Sequence, residues 1–364
     1  VTLRAIDRRQ LARGSAQRII ENVKAANIRG LGGGAFPTAT KLLAAAQSSA
    51  VIINGLQSEP DNNVDITLLE QHCDSVVAGA ALVCLTNPAS ELVVAVPAAH
   101  KAELQSTLVS ALEKEMQWVN EVRGRTANQE GRPEATQLTA RVAWLPVTHG
   151  SGEEHALART LGLSDEPSVP GSEPPLTQQS LVCFNVATCH AIACAVFEGT
   201  PLTGRLVSIN GTVRWVAFGT PVSDLLPNEP SVWMNGSHGG YPVTPTQQVE
   251  PGVFCVARAP APPEAPCINC GACAPVCPSG LRPEELHRAL ELGDSPDPQQ
   301  RLSDCIECGA CNAVCPSGLW LARKANAEKA KARVKARNKR LADQLEQQSD
   351  QVRREQKNAG RRQW

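Results

Sequence analysis

The chain has no run of apolar residues approaching the ~18 needed to cross a bilayer, so attachment to a membrane could come only through partners or an interfacial segment. It also lacks a signal peptide or other leader pattern. The first residue is Val, not Met, and the sequence reads as a fragment whose N-terminal part is missing. Aromatic side chains are scarce, and the basic C-terminal segment has none except terminal Trp364, which counts against nucleic-acid binding. A dominant sign of charge is lacking too, the formal net charge being −1. That balance hides an asymmetry. Residues 321–364 carry fourteen Lys and Arg against five Asp and Glu, a net of +9, which leaves −10 on residues 1–320. The segment is rich in helix formers without a wide apolar stripe, so it reads as a solvated helical or disordered tail. Attraction to anionic lipid or acidic partner proteins is the sharper alternative.

Cysteine, by contrast, is abundant and ordered. Eight of fourteen fall into two copies of C-x2-C-x2-C-x3-C-P: Cys267, Cys270, Cys273, Cys277 with Pro278, and Cys305, Cys308, Cys311, Cys315 with Pro316. Four thiolates at that spacing wrap a cubane iron–sulfur cluster, and in two-cluster modules the fourth Cys serves the other cluster. One [4Fe–4S] cluster is therefore assigned to Cys267, Cys270, Cys273 and Cys315, the other to Cys305, Cys308, Cys311 and Cys277. Glycines after Cys270 and Cys308 let the backbone approach the sulfide cage. The near-duplicate text, CINCGACAPVCPSGL against CIECGACNAVCPSGL, predicts pseudo-twofold related halves. Zinc favours paired knuckles across a long gap, and disulfides need an oxidising compartment. The remaining six cysteines sit among apolar residues and read as small core side chains.

At 364 residues the chain should hold two or three domains. A lead-in helix within 1–29, with Ile19, Ile20 and Val23 as its stripe, precedes a glycine-rich loop and a helix from about Pro37. Strand 51–55, helix Val64–Cys84, strand 91–97, helix 99–116, strand 140–146 and helix 152–163 follow. This alternation predicts a parallel, Rossmann-like α/β domain over 1–175, with ligands at the strand C-terminal ends. A Pro- and Ser-rich break (164–175) ends it. Residues 180–199 read as helical, and short strands with turns at Asn210-Gly211 and Gly219 make a small β-rich domain to 256. PAPPEAP (260–266) is a stiff connector into a two-cluster ferredoxin-like domain over 257–322, followed by the tail, 323–364. His190 reads as a core histidine, NGSHGGYP (235–242) as a turn around His238, and Glu153-Glu154 as a helix opening.

Four glycines ahead of a helix let backbone N–H groups converge on an anion, and Lys41, one turn in, can reach back toward a phosphate. A tight turn that needs left-handed backbone explains the loop equally well.

GLGGGAFPTATKL followed by INGLQSEPDNNVD resembles the C subunit of the Rnf (Rsx) electron-transport complex and, more distantly, the flavoprotein subunit of respiratory complex I. FNVATCHAI, GTPLTGRLVSINGTV with FGTPVSDLL, the paired cysteine motif and the basic tail follow in the same order. The resemblance implies a β-grasp-like (SLBB-type) second domain, and FMN with NAD(H) in the glycine-loop site. Gly30, Gly32, Gly33, Gly34, Phe36 and Lys41 would hold flavin or nucleotide phosphate. Asn54 and Glu59 would line the isoalloxazine and nicotinamide region, while Asn185 and Thr188 would close the site. It implies a peripheral subunit of an ion-coupled ferredoxin:NAD oxidoreductase on the cytoplasmic face of a bacterial inner membrane. Its partners would be the other Rnf-type subunits, with ferredoxin as redox partner.

The chain departs from that pattern in places. Gln57 replaces an acidic residue, Ser58 and Asp61 replace Cys and Tyr, THGSGEEHAL (148–157) is a loose Gly-Glu loop, and the usual N-terminal domain is absent ahead of residue 1. Two rivals follow: a relay or assembly subunit without nucleotide binding, and a soluble NADH-linked diaphorase or hydrogenase flavoprotein subunit.

Overall fold

A computed structural model describes residues 3–11, 15–129, 136–148, 150–165, 176–229, 231–236, 238–258, 265–293, 302–306, 308–322 and 325. The basic tail apart from Ala325, most of the 164–175 break and most of the 260–266 connector lie outside these residues.

Helix α1 (Ser15–Ala25) buries Ile19, Ile20 and Val23, the expected stripe. Helix α2 (Thr38–Ala44) follows the glycine loop. Strand β1 (Ala50–Asn54) is an apolar run buried along nearly its whole length, as a parallel strand covered on both faces must be. The stretch expected as one helix is two, α3 (Val64–Gln71) and α4 (Cys73–Cys84), broken at His72, where φ is −134°. Strand β2 (Glu91–Pro97) leads into α5 (Lys101–Gln129), which runs well past residue 116 because Val119, Val122 and Ala127 continue its buried face. Strand β3 (Thr139–Leu145) and helix α6 (Glu154–Thr160) complete the expected alternation.

The helical reading of 180–199 needs correction. Leu181–Asn185 is a strand, β4, and only Val186–Ala193 is α-helix, α7, followed by a π-turn that Gly199 ends at φ +68°. LVCFN is apolar without alternation, a pattern that periodicity cannot tell from a buried helix. The α/β layer thus continues past the Pro- and Ser-rich break. Its sheet runs β3-β2-β1-β4, all parallel, with Asn54 opposite Asn185. The chain moves outward from β1 through β2 to β3, then returns to add β4 on β1's other side. That reversal places a crevice between the C-terminal ends of β1 and β4, the usual ligand position in open α/β sheets.

Helix α4 and helix α7 pack together on one face of this sheet, and their approach is set by Gly79. A Cβ there would collide with the Cys189 carbonyl, lying 2.5 Å from its carbon and 3.0 Å from Cys189 Cα.

A second, five-stranded sheet has the order β6-β5-β9-β7-β8, from β5 (Gly204–Ile209), β6 (Thr212–Ala217), β7 (Val232–Met234), β8 (Tyr241–Val243) and β9 (Cys255–Arg258). Asn210 and Gly211 turn the β5–β6 hairpin with φ of +47° and +82°, as an Asn-Gly hairpin requires. The sheet has its own apolar core around Val207, Met234, Val249 and Val256. Among the described residues of the cysteine-rich segment the longest helix is Pro283–Leu292.

Candidate cofactor cavity and paired cysteine pockets

The glycine loop is pinned at both ends. Gly30 N–H donates to the Phe36 carbonyl (2.8 Å), Ala35 N–H to the Gly30 carbonyl (3.1 Å), and Leu31 N–H to Thr188 Oγ1 on α7 (2.9 Å). Between these ties the N–H groups of Gly32, Gly33 and Gly34 donate to no described residue. Gly33 has φ +106°, a conformation side chains avoid, and a Cβ on Gly32 would press on Asn185 Cβ at 3.1 Å. The loop is thus a tight turn whose positive φ needs glycine at 33, and it carries a row of N–H groups that donate to no described residue.

A cavity of about 210 Å³ opens at the β1/β4 reversal. Asn54 closes β1, bonding the Gly152 carbonyl (2.7 Å) and Leu56 N–H (3.0 Å). Asn185 closes β4 and caps α7: its Oδ1 accepts from Ala187 N–H (2.9 Å) and its Nδ2 donates to Asp65 Oδ2 (2.7 Å). Of the ten residues expected here, Gly32, Asn54, Glu59 and Asn185 line the cavity. Gly30, Gly33, Gly34 and Thr188 belong to the loop and its anchor instead. Phe36 is 53% exposed. Lys41 Nζ lies 2.6 Å from Glu154 Oε1, so in this structure the lysine engages a carboxylate at the cavity edge.

Sequence reasoning missed Asp65 and Arg205, both buried and both lining the cavity. They come from a helix and from the other sheet, and no local pattern joins them. Gln57 also has a clear role. With its amide turned to satisfy both ends, its oxygen accepts from Asp65 N–H (2.6 Å) and Val64 N–H (3.3 Å), capping α3. An amide serves that purpose as well as a carboxylate.

Burial pushes the Glu59 carboxyl up to about 7, against two backbone N–H donors, His238 (3.0 Å) and Gly239 (2.5 Å). Burial likewise lifts Asp65 to about 6, opposed by its bond from Asn185 and by Arg205. Each holds its proton more tightly in the fold than in the unfolded chain, where the ordinary values are 4.5 and 3.8. The resulting stability is full below those values and is lost as pH rises through about 6 and 7. Thermal unfolding of the ligand-free protein should therefore show stability falling across this window. In Glu59→Gln the upper part of the fall should flatten; an unchanged slope would show that Glu59 is not protonated by burial.

The eight motif cysteines separate into two pockets. Cys267, Cys270, Cys273 and Cys315 line one; Cys277, Cys305, Cys308 and Cys311 line the other. In each, one thiol comes from the opposite motif copy. The duplicated text yields duplicated backbone: Gly271 and Gly309 have φ +72° and +74°, Gly280 and Gly318 +63° and +62°. Left-handed backbone by itself favours glycine at 271.

The Cys277 pocket abuts the cavity wall. A Cβ on Gly150 would lie 3.5 Å from Cys308 Cβ and 3.0 Å from Pro278 Cγ, and Gly152, two residues on, lines the cavity. The turn around His238 bridges the same two places. Its N–H groups hold Glu59, while Asn312 Nδ2 donates to the His238 carbonyl (2.5 Å) and Gly309 packs against that carbonyl. Cys267 and Cys270 are instead exposed.

Residues 23–194 match the family described as Nuo51 FMN-binding domain, and residues 265–319 the 4Fe-4S dicluster domain. The C subunit of the ion-translocating oxidoreductase complex of Edwardsiella ictaluri is 30% identical over 303 residues, 74% of this chain and 33% of that protein. The chain is a relative of these C subunits. The corresponding C subunit of Rhodobacter capsulatus is 28% identical over 301 residues, covering 76% of this chain and 53% of that protein. The chain thus spans from about a third to about half the length of the curated relatives it matches. A chain of an NAD+-reducing [NiFe]-hydrogenase in its H2-reduced state shares the fold, with a TM-score of 0.54 and 24% identity over 66% of this chain and 46% of that one. Among the described residues no helix is long and apolar enough to cross a membrane.

Proposed function

We propose that the chain is an electron-transfer subunit that holds FMN in the β1/β4 cavity and two [4Fe–4S] clusters in the cysteine pockets. The observation that carries this reading is the sorting of eight thiols into two sets of four, one set lying against the wall of a polar cavity. The residues fit these groups. Gly32, Gly33 and Gly34 offer unengaged N–H donors for a phosphate, and Asn54, Glu59 and Asn185 offer polar contacts inside. Cys267, Cys270, Cys273 and Cys315 would hold one cluster, and Cys305, Cys308, Cys311 and Cys277 the other. Bound FMN supplies exchange between the hydride of a nicotinamide and the single electrons of iron–sulfur clusters. The protein's part is to fix the ring beside Glu59 and to keep cavity and cysteines in one packed unit.

NAD(H) is the two-electron partner in this reading. The remaining partners are the other subunits of an Rnf-type, ion-coupled ferredoxin:NAD oxidoreductase, with ferredoxin as the redox partner of the whole. The chain would sit peripherally on the cytoplasmic face of a bacterial inner membrane. In this reading the α/β layer, the second sheet and the cysteine segment are three domains packed against one another. The capping role of Gln57 and the Lys41–Glu154 pair favour one alternative, a relay subunit that keeps the clusters without nucleotide binding.

Anaerobically prepared protein distinguishes them. Iron, sulfide and flavin assays should give two clusters and one FMN per chain, with flavin bleaching on NADH addition. Clusters with neither flavin nor an NADH response would establish the relay, and protein devoid of iron would overturn both.

A further inference from the structure

Arg205 enters the cavity from the second sheet. It is the second residue of β5 and only 4% exposed. Its Nε donates to the Leu206 carbonyl (3.1 Å) and its Nη1 to the Pro251 carbonyl (2.7 Å), fixing the guanidinium plane. Its Nη2 donates to no described residue. Nη2 is not among the described buried polar atoms that lack a partner, so it is open to the polar cavity that Arg205 lines and can donate to a ligand there. Asp65 attracts it, but no hydrogen bond or ion pair joins the two side chains, and the Oδ2 of Asp65 accepts from Asn185. Burial lowers Arg205 to about 10, against the attraction of Asp65, so it stays charged at neutral pH. It is the one cationic side chain among those lining the cavity.

We propose that Arg205 is a cofactor-binding residue whose Nη2 donates to the carbonyl edge of the flavin ring and favours the reduced ring over the oxidised one. This rests on the FMN reading above. The ring, not the phosphate, is the target: of the loop's unengaged glycines Gly32 alone lines the cavity, while Gly33, Gly34 and Lys41 do not, whereas Arg205 lies in the lining together with Asn54, Glu59 and Asn185, the residues read as ring contacts. Adding a hydride, two electrons with one proton, leaves the ring's carbonyl edge more negative. A guanidinium already fixed by two backbone carbonyls stabilises that charge without reorganising.

The test is equilibrium ultrafiltration of the flavin-stripped full chain with FMN, oxidised and dithionite-reduced, at pH 8, where Asp65 is ionised. In Arg205→Gln, oxidised FMN should bind about tenfold more weakly, since charged hydrogen bonds carry that much affinity, and reduced FMN should lose more. Arg205→Lys, which keeps the charge, should retain most of the preference for reduced FMN. Asp65→Asn leaves both backbone bonds of Arg205 in place and should raise that preference, so the proposal stays testable if Arg205→Gln does not fold. Equal weakening of both redox states in Arg205→Gln, as from a phosphate contact or lost packing, would overturn the proposal, as would an unchanged preference in Asp65→Asn. Wild-type protein that binds no FMN would overturn the flavin reading instead.

Discussion

Cys277→Ser and Cys308→Ser should abolish the same iron–sulfur signal, and Cys270→Ser and Cys315→Ser the other. Reading each motif copy as a self-contained cage would pair Cys277 with Cys270 and Cys315 with Cys308. The structure divides them otherwise, with Cys277 among Cys305, Cys308 and Cys311, and Cys315 among Cys267, Cys270 and Cys273. Each fourth cysteine precedes a proline and a left-handed glycine, Gly280 or Gly318, and this tight turn follows the thiol's departure from its own copy. Loss of one thiolate from a four-ligand cage should cost about half the chain's iron and one of two paramagnetic species in the reduced protein. Iron assay with EPR of the four variants decides it. A signal shared by Cys270→Ser and Cys277→Ser would mean that each copy binds its own cluster.

The second large effect concerns the scaffold. Gly79→Ala should destabilise the protein by about 3 kcal/mol or more, because the added methyl has only backbone to displace. The Cys189 carbonyl carbon would lie 2.5 Å from it, and α4 is buried along most of its length, so neither helix can tilt into open space. The displaced helix, α7, carries the Asn185 cap and the Thr188 hydroxyl that anchors Leu31, so the glycine loop should move with it. Gly124→Ala is the control. Gly124 lies within α5, where an added Cβ would meet nothing within 4 Å, and alanine there should stabilise by about 0.5–1 kcal/mol. Denaturant midpoints of the two variants should move in opposite directions. A Gly79→Ala protein as stable as wild type would show that α4 and α7 do not cross so closely.

What the sequence revealed divides by range. The cysteine motifs were legible because their geometry is set within eleven residues, and the glycine loop because punctuation ahead of an amphipathic helix is local. Asn54, Glu59 and Asn185 were reached through resemblance, and the structure brings them to one cavity. Strand β4 was misread because a strand covered on both faces loses the alternation that identifies strands. Asp65 and Arg205 were not legible, since their meeting depends on one sheet docking on another. The turn around His238 was read correctly as a turn. Its grip on Glu59 and its contact with Gly309 lie about 180 and about 70 residues away in sequence, beyond the reach of pattern.

The place of β4 has a consequence for biosynthesis. Asn185 meets Asn54 across 131 residues of chain, so while the protein is being synthesised β1 waits with one edge open. Such an edge invites pairing with a neighbouring nascent chain until the missing strand leaves the ribosome. A product that ends in the break at 164–175 would keep β1, β2 and β3 but expose that edge for good. The order of strands along the chain thus makes early termination a route to aggregation.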